Sequence, residues 1–379
     1  MISVLIGHLI PIPYLQKAVG WGDMGVVLFF CLSGFLITNI LLKMQPAARP
    51  GSKAIGLKIF YARRFLRIFP IYYLTIIVVY LLQYPPVREN FLRLLTYSIF
   101  LPGLSRTQYL GAASHLWSLS VEEQFYCVWP LIVFFMPRRA LAGVLSACIL
   151  GCLAYKFMLS TEISGSPLQE KQLYFSIFRP ITGCLDSLGL GALAAVMYRN
   201  RMEGVASNLI SPTTLGVVIL AWLGVTVYRI LSPIDSLFYG YLPFGVAQFF
   251  VSAVAFTVMI LYVVEQRNSG MARFLSLRPL RGIARVSYGL YLYHFLMPFL
   301  AVWILSKHLT FIASIPMTPW LLAMFELLMT LIVTIASWNF IEKPILSCKR
   351  YFDYPKPVSI AGLQQTSISP LTPPPAAAR

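Results

Sequence analysis

Apolar runs approaching the roughly 20 residues that a bilayer-crossing helix needs recur along the chain, separated by short clusters of charge, proline and glycine. They predict ten such helices, near residues 1–16, 24–42, 68–83, 117–136, 140–160, 180–199, 209–231, 243–264, 286–306 and 320–341. The stretch 91–102 is shorter and reads as an interfacial or re-entrant piece. The expected fold is all-α, a polytopic membrane bundle with residues 1–345 forming one domain. Residues 346–379 form a cytoplasmic tail rich in Pro, Ser and Thr, a composition expected to stay disordered.

Positive charge orients this bundle. The loop after the second run carries Lys43, Arg49, Lys53, Lys58, Arg63, Arg64 and Arg67 and no acid. Cytoplasmic loops carry an excess of Lys and Arg, so this loop is placed inside. Alternation then puts Arg138 and Arg139, Arg199 and Arg201, the basic run from Arg267 to Arg285, and Lys343, Lys349 and Arg350 on the same side. Both termini lie inside. An eleventh crossing at 91–102 would invert everything after it and spoil the pattern. The N-terminus lacks the basic region and small-residue cleavage site of a signal peptide.

Composition sharpens the class. Of 379 residues 58% are apolar and 11% charged, with a mean hydropathy of +0.74; soluble domains carry about 25% charged residues. The net charge of +17 would suggest nucleic acid in a soluble protein. Here it reads as topology bias, with no nucleic-acid partner and the bilayer as surroundings. Six cysteines at 31, 127, 148, 152, 184 and 348 show no zinc-ligand spacing and read as buried thiols acting as small hydrophobes. No metal is expected.

Against this background a few polar residues need a reason. A carboxylate at the centre of a membrane helix costs roughly 2.5–3.5 kcal/mol, yet His115-Leu-Trp-Ser-Leu-Ser-Val-Glu-Glu-Gln-Phe-Tyr126 places Glu122 and Glu123 at the start of the fourth run. The helix macrodipole favours an acid there, which accounts for one of the two. Arg63, Arg64 and Arg67 precede Pro70. They read either as an anchor at the inner membrane edge or as a phosphate clamp, since guanidinium forks match phosphate oxygens. A lone histidine in an apolar helix, such as His8, is ordinarily a packed residue, but histidine is also the common general base near neutral pH. In Val286-Ser-Tyr-Gly-Leu-Tyr-Leu-Tyr-His294, Tyr291 and His294 share a helical face, suited to an interhelical bond or a site lining. Asp186 is a further intramembrane acid, with Arg179 a candidate to neutralise it. Glu342-Lys-Pro344 reads as a helix stop with an ion pair, and Gly34 as a place for close helix packing.

Taken in order, these segments resemble the acyltransferase-3 family of integral membrane O-acyltransferases. The resemblance rests on His8, Gly25-Val-Val-Leu-Phe-Phe-Cys-Leu-Ser-Gly-Phe-Leu-Ile-Thr38, Arg63-Arg-Phe-Leu-Arg-Ile-Phe-Pro70, His115 to Tyr126, Asp186 to Ala192, Ser287 to His294, and Trp338-Asn-Phe-Ile-Glu-Lys-Pro344. It implies an acyl-CoA donor, most often acetyl-CoA, at the cytoplasmic side. It implies a hydroxylated acceptor (a glycan, glycolipid or small molecule) reached from the other side, and a plasma-membrane location. His8 would be catalytic and Glu122 the acid of the aromatic-rich motif. Arg64 and Arg67 would be the arginine pair that serves the donor. Beside the resemblance, Arg63 is read with them as holding the donor's phosphates, and His115, Trp117, Glu123, Tyr291 and His294 as lining the substrate site. The chain departs from the family pattern in three places. It begins seven residues before His8, so its first helix is expected to lack its inner end. Val27 stands where relatives often have an acid, and Cys184 where they often have arginine.

The reading that follows is acyl transfer from acyl-CoA to an alcohol, with His8 removing the acceptor proton. No residue stands out as an activated nucleophile. Two other readings compete. A transporter or flippase would line its path with the buried charges, but the inverted repeat common in transporters is not visible. The other is an inactive membrane subunit.

Overall fold

The computed structural model describes residues 4–5, 20–44, 52–97, 111–160, 167–200, 210–231, 242–308 and 318–353. Among these the regular structure is helical throughout, with no strand. The helices that build the bundle are α1 (Trp21–Met44), α2 (Ser52–Leu81), α3 (Trp117–Phe135), α4 (Arg138–Ser160), α5 (Pro167–Phe178), α6 (Leu185–Asn200), α7 (Pro212–Leu231), α8 (Leu242–Glu265), the short α9 (Ser287–Tyr293), α10 (Leu296–His308) and α11 (Pro319–Ser337). Among the described residues, six segments are long and apolar enough to cross a membrane: Gly22–Met44, Lys53–Leu81, Arg138–Ser160, Pro212–Arg229, Gly245–Glu265 and Pro319–Tyr351. The expected first span and His8 fall outside the described residues, apart from helical Val4 and Leu5.

Two of the expected spans are built differently. From Ser52 on, the basic stretch before residue 68 is helical. It continues into the third span as one 30-residue helix, α2. Lys and Arg are good helix formers, and their long stems lie along apolar surface while the charge stays accessible. The ninth span is broken, ending at Tyr293 and restarting at Leu296. Pro298 has no N–H to offer the His294 carbonyl four residues back and crowds it. From the 91–102 piece, Phe91–Tyr97 is a short helix; the remainder is outside the described residues.

α1 is the central strut, packed on α6 at backbone distance. A Cβ on Gly34 would stand 2.1 Å from Leu188 O, and one on Gly191 would stand 2.0 Å from Cys31 O. Each glycine admits the other helix's carbonyl, as small residues do at membrane helix interfaces. One side of α1 builds a core of Phe30, Leu41, Phe60, Trp129 and Leu188. The other builds a core of Cys31, Phe35, Phe178, Ala195 and Phe249. A third core, with Tyr72, Ile76, Leu116, Leu292 and Leu296, joins α2 to α9 and α10. The polar residues considered below lie where the first and third cores meet.

Asp186 is paired, but not by Arg179. Lys156 Nζ of α4 lies 2.6 Å from Asp186 Oδ2, and Lys156 and Asp186 are 2% and 0% exposed. The other Asp186 oxygen caps the start of α6 through Ser187 N at 2.7 Å and Ser187 Oγ at 3.1 Å. Arg179 instead lies over the Phe175 ring at 3.8 Å and the Trp117 ring at 5.7 Å. All six cysteines are free; Cys31, Cys152 and Cys184 are buried, whereas Cys127 faces outward.

Candidate functional site

α2 and α3 run antiparallel, and their contacts set the level of every charged group between them. Lys53 lies over the Phe135 ring at 5.4 Å, and the Tyr61 hydroxyl donates to Cys127 O at 2.8 Å. One turn on, the Arg64 guanidinium is 5.1 Å from the Tyr126 ring and 5.8 Å from the Phe60 ring. Because α2 starts at Ser52 rather than near residue 68, Arg64 and Arg67 are carried up to the level of Glu122. The sequence reading had the arginines at the inner edge and Glu122 near the outer one; the structure brings them together.

Glu122 is the focus. It is 4% exposed and accepts hydrogen bonds from Ser33 Oγ on α1 and from Tyr126 OH one turn along α3. Those two hydroxyls are 3.2 Å apart. Arg64 and Arg67 lie within electrostatic range of the same carboxylate. A buried acid with two hydroxyl donors and two nearby guanidinium groups is compensated in the way the membrane interior demands. Glu123 is equally buried and interacts with Arg64. Its Oε1 has no hydrogen-bond partner among the described residues. Such an oxygen is suited to accept a hydrogen bond from a ligand hydroxyl.

Beyond Glu122, toward the start of α3, four of the expected site residues gather. The 3-10 turn Gly111–Leu116 delivers His115 into the bundle. Its Nε2 donates to Leu292 O at 3.2 Å, and its ring packs edge-on against His294, centroids 4.9 Å apart. Tyr291 OH donates to His115 O at 3.0 Å and also meets Ser118 Oγ. His294 Nδ1 donates to Tyr291 O at 2.7 Å. Trp117 packs edge-on against Phe30, with centroids 6.1 Å apart. Asp23 at the start of α1 accepts from Tyr174 OH at 2.9 Å, and both Asp23 and Arg179 are within electrostatic range of Tyr291.

Arg63 behaves differently from its two neighbours. Its Nη1 donates to Lys349 O at 3.2 Å and Phe352 O at 2.8 Å, and pairs with Asp353 Oδ1 at 3.3 Å. It thus fastens the chain that follows the last helix, so residues 346–353 of the expected tail are held against α2. The fastened turn presents Lys349 to Arg63, Arg64 and Arg67, a concentration of positive charge suited to an anion. Sequence reasoning did not place Ser33 at the site, read Lys349 only as an inside charge and read Glu342 as a helix stop. Only Tyr126 carried a local signal, at one helical turn from Glu122. Among the described residues no group of three or more His, Cys, Asp or Glu is placed to hold a metal ion.

The profile of the acyltransferase-3 family, described as an acyltransferase domain, matches residues 1–339. A peptidoglycan O-acetyltransferase, OatA, of Listeria monocytogenes is 28% identical over 344 residues, covering 86% of this chain and 51% of that protein. A putative peptidoglycan O-acetyltransferase, YrhL, of Bacillus subtilis is 30% identical over 347 residues, covering 86% and 50%. An O-acetyltransferase, OatA, of Staphylococcus aureus is 26% identical over 347 residues, covering 86% and 52%. The chain therefore spans about half the length of these relatives. No solved structure matches.

Proposed function

Since the chain belongs to the acyltransferase-3 family, we propose that it moves an acyl group, most simply acetyl, from acyl-CoA to a hydroxyl of a cell-envelope glycan. The acyltransferase domain is a multi-pass membrane domain. The Listeria relative is named a peptidoglycan O-acetyltransferase, and the Bacillus one a putative peptidoglycan O-acetyltransferase, which makes peptidoglycan or its lipid-linked precursor the first acceptor to test. The domain covers residues 1–345, with ten spans and both termini inside, so that donor and acceptor approach from opposite faces. The tail beyond the described residues has no assigned role.

In this reading Arg64, Arg67 and Lys349 receive the donor's phosphates, and Arg63 fixes the turn that carries Lys349. His8 takes the proton of the acceptor hydroxyl as its oxygen attacks the thioester carbonyl. The new C–O bond forms, the C–S bond breaks, and the proton passes to the departing thiolate, giving the ester and free CoA. General base assistance of this kind contributes about 10²–10⁴ in rate. Glu122 orients the imidazole or binds the acceptor, and Glu123, His115, Trp117, Tyr291 and His294 line the acceptor's approach.

The observation that carries the proposal is the buried Glu122 carboxylate, held by Ser33 and Tyr126 beside Arg64 and Arg67. A structural anchor at the membrane edge does not require this arrangement. The test uses the full chain in liposomes, with acetyl-labelled acetyl-CoA on one side and soluble peptidoglycan fragments on the other. Base-labile label on the glycan is expected with the wild type and is lost in His8→Ala. A folded wild type that labels no glycan contradicts the proposal and moves weight to a transport role.

A further inference from the structure

The last long helix does not end as a simple stop. α11 buries Thr330, Thr334 and Ser337, the spacing of one α-helical face. Ile341 would come next on that face. Instead the backbone widens to a π-helix over Trp338–Glu342, and the Lys343 N–H bonds to Trp338 O five residues back. Pro344 accounts for the widening, because it has no N–H for Phe340 and its ring crowds that carbonyl. The extra residue turns Glu342 inward; single π-turns of this kind are frequent at functional sites.

Glu342 is 4% exposed. It accepts from Ser337 Oγ at 3.1 Å, and Ser337 in turn accepts from Tyr293 OH at 2.9 Å. Space for the carboxylate comes from α9: a Cβ on Gly289 would stand 2.6 Å from Glu342 Oε1. The cation within electrostatic range of it is Arg67, whose side chain is accessible and which also feels Glu122. One residue past Arg67, Ile68 O accepts from Tyr288 OH at 2.8 Å, tying α9 to this part of α2.

We infer that Glu342 is a positioning residue for the transfer reaction: set inward by the π-turn, its carboxylate fixes the direction in which accessible Arg67 meets the anionic donor, with Glu122 acting on Arg67 from the other helix. The inference rests on the assignment of Arg67 to the donor. A plain helix stop would need neither an inward carboxylate nor a glycine opposite it.

The test varies acetyl-CoA at fixed peptidoglycan fragments, with the full chain in liposomes. Glu342→Gln keeps the size and an oxygen for Ser337 but removes the charge. It should raise the KM for acetyl-CoA about tenfold, with kcat and melting temperature near wild type. Glu342→Asp should recover part of the loss. In an Arg67→Ala background the Glu342→Gln change should add nothing, because the two act as one unit. An unchanged KM in Glu342→Gln, or an increment that persists in full without Arg67, overturns the inference. If Glu342→Gln does not fold, Gly289→Ala takes its place, displacing the carboxylate without removing its charge, and the same KM rise is expected. A wild type with no acetyl-CoA-dependent transfer removes the donor assignment and this inference together. A raised KM in Arg67→Ala beside a silent Glu342→Gln removes the inference alone.

Discussion

Glu122 shows how a single residue earns its place in an apolar helix. Ser33 and Tyr126 supply its hydrogen bonds and Arg64 and Arg67 its countercharge. Removing the carboxylate by Glu122→Gln should lower transfer by about 10²-fold or more, the scale of a lost acid–base or oriented electrostatic group. Tyr126→Phe and Ser33→Ala each remove one donor and should cost less. Initial rates with labelled acetyl-CoA, normalised to folded protein, check both. Lys156 and Asp186 test a different principle, since breaking a buried pair costs about 3–5 kcal/mol whereas replacing both partners by apolar groups is often neutral. Lys156→Met alone should therefore lower the melting temperature in detergent, and adding Asp186→Leu should recover much of it. A double variant that loses the sum of the two single losses would show that the pair does not act as a unit. The one-turn spacing of Glu122 and Tyr126 was a signal present in the sequence, although the pair was not drawn from it. Ser33 gave no such signal, lying 89 residues away in sequence from the carboxylate it bonds. Lys156, 30 residues before Asp186 in sequence, was not singled out, and Asp186 was matched to the nearer Arg179.

At the level of elements, apolar runs located most helices, and charge misplaced one boundary. Seven basic residues before position 68 read as a loop, yet α2 runs through the last five of them, from Lys53, and brings Arg64 and Arg67 to Glu122. The two irregularities near the site follow from prolines whose consequences a hydropathy reading does not resolve. Pro298 divides the ninth span at His294, and Pro344 opens the π-turn that aims Glu342 inward. Gly34, by contrast, was legible as a packing position, though not its partner Gly191. Gly34→Ala forces a methyl toward Leu188 O and should destabilise the bundle by about 1–3 kcal/mol, the usual range for overpacking. Thermal unfolding in detergent reads it directly. A Gly143→Ala control has nothing within 4 Å of the new methyl and should leave the melting temperature unchanged.

For the whole molecule, the charge bias and the fold together describe a bundle with a polar seam running from Lys349 and the arginines, through Glu122 and Glu123, to His115, Trp117 and Asp23. Such a seam suits a reaction in which a phosphate-bearing donor and a hydroxylated acceptor enter from opposite ends. The orientation has its own check. In a cysteine-free background, a single cysteine at Lys349 should react with a membrane-impermeant maleimide in inside-out vesicles and not in intact spheroplasts, whereas one at Asp23 should show the reverse. The central claim, that the Glu122 site acylates an envelope glycan, is tested most directly in cells by mass spectrometry of base-labile acetyl esters on peptidoglycan and envelope glycans. Strains to compare lack the gene, or carry it as wild type or as Glu122→Gln at matched protein level. The account predicts that one ester disappears with the gene, returns with the wild type and stays absent with Glu122→Gln. An ester profile indifferent to the gene, or fully restored by Glu122→Gln, would contradict it.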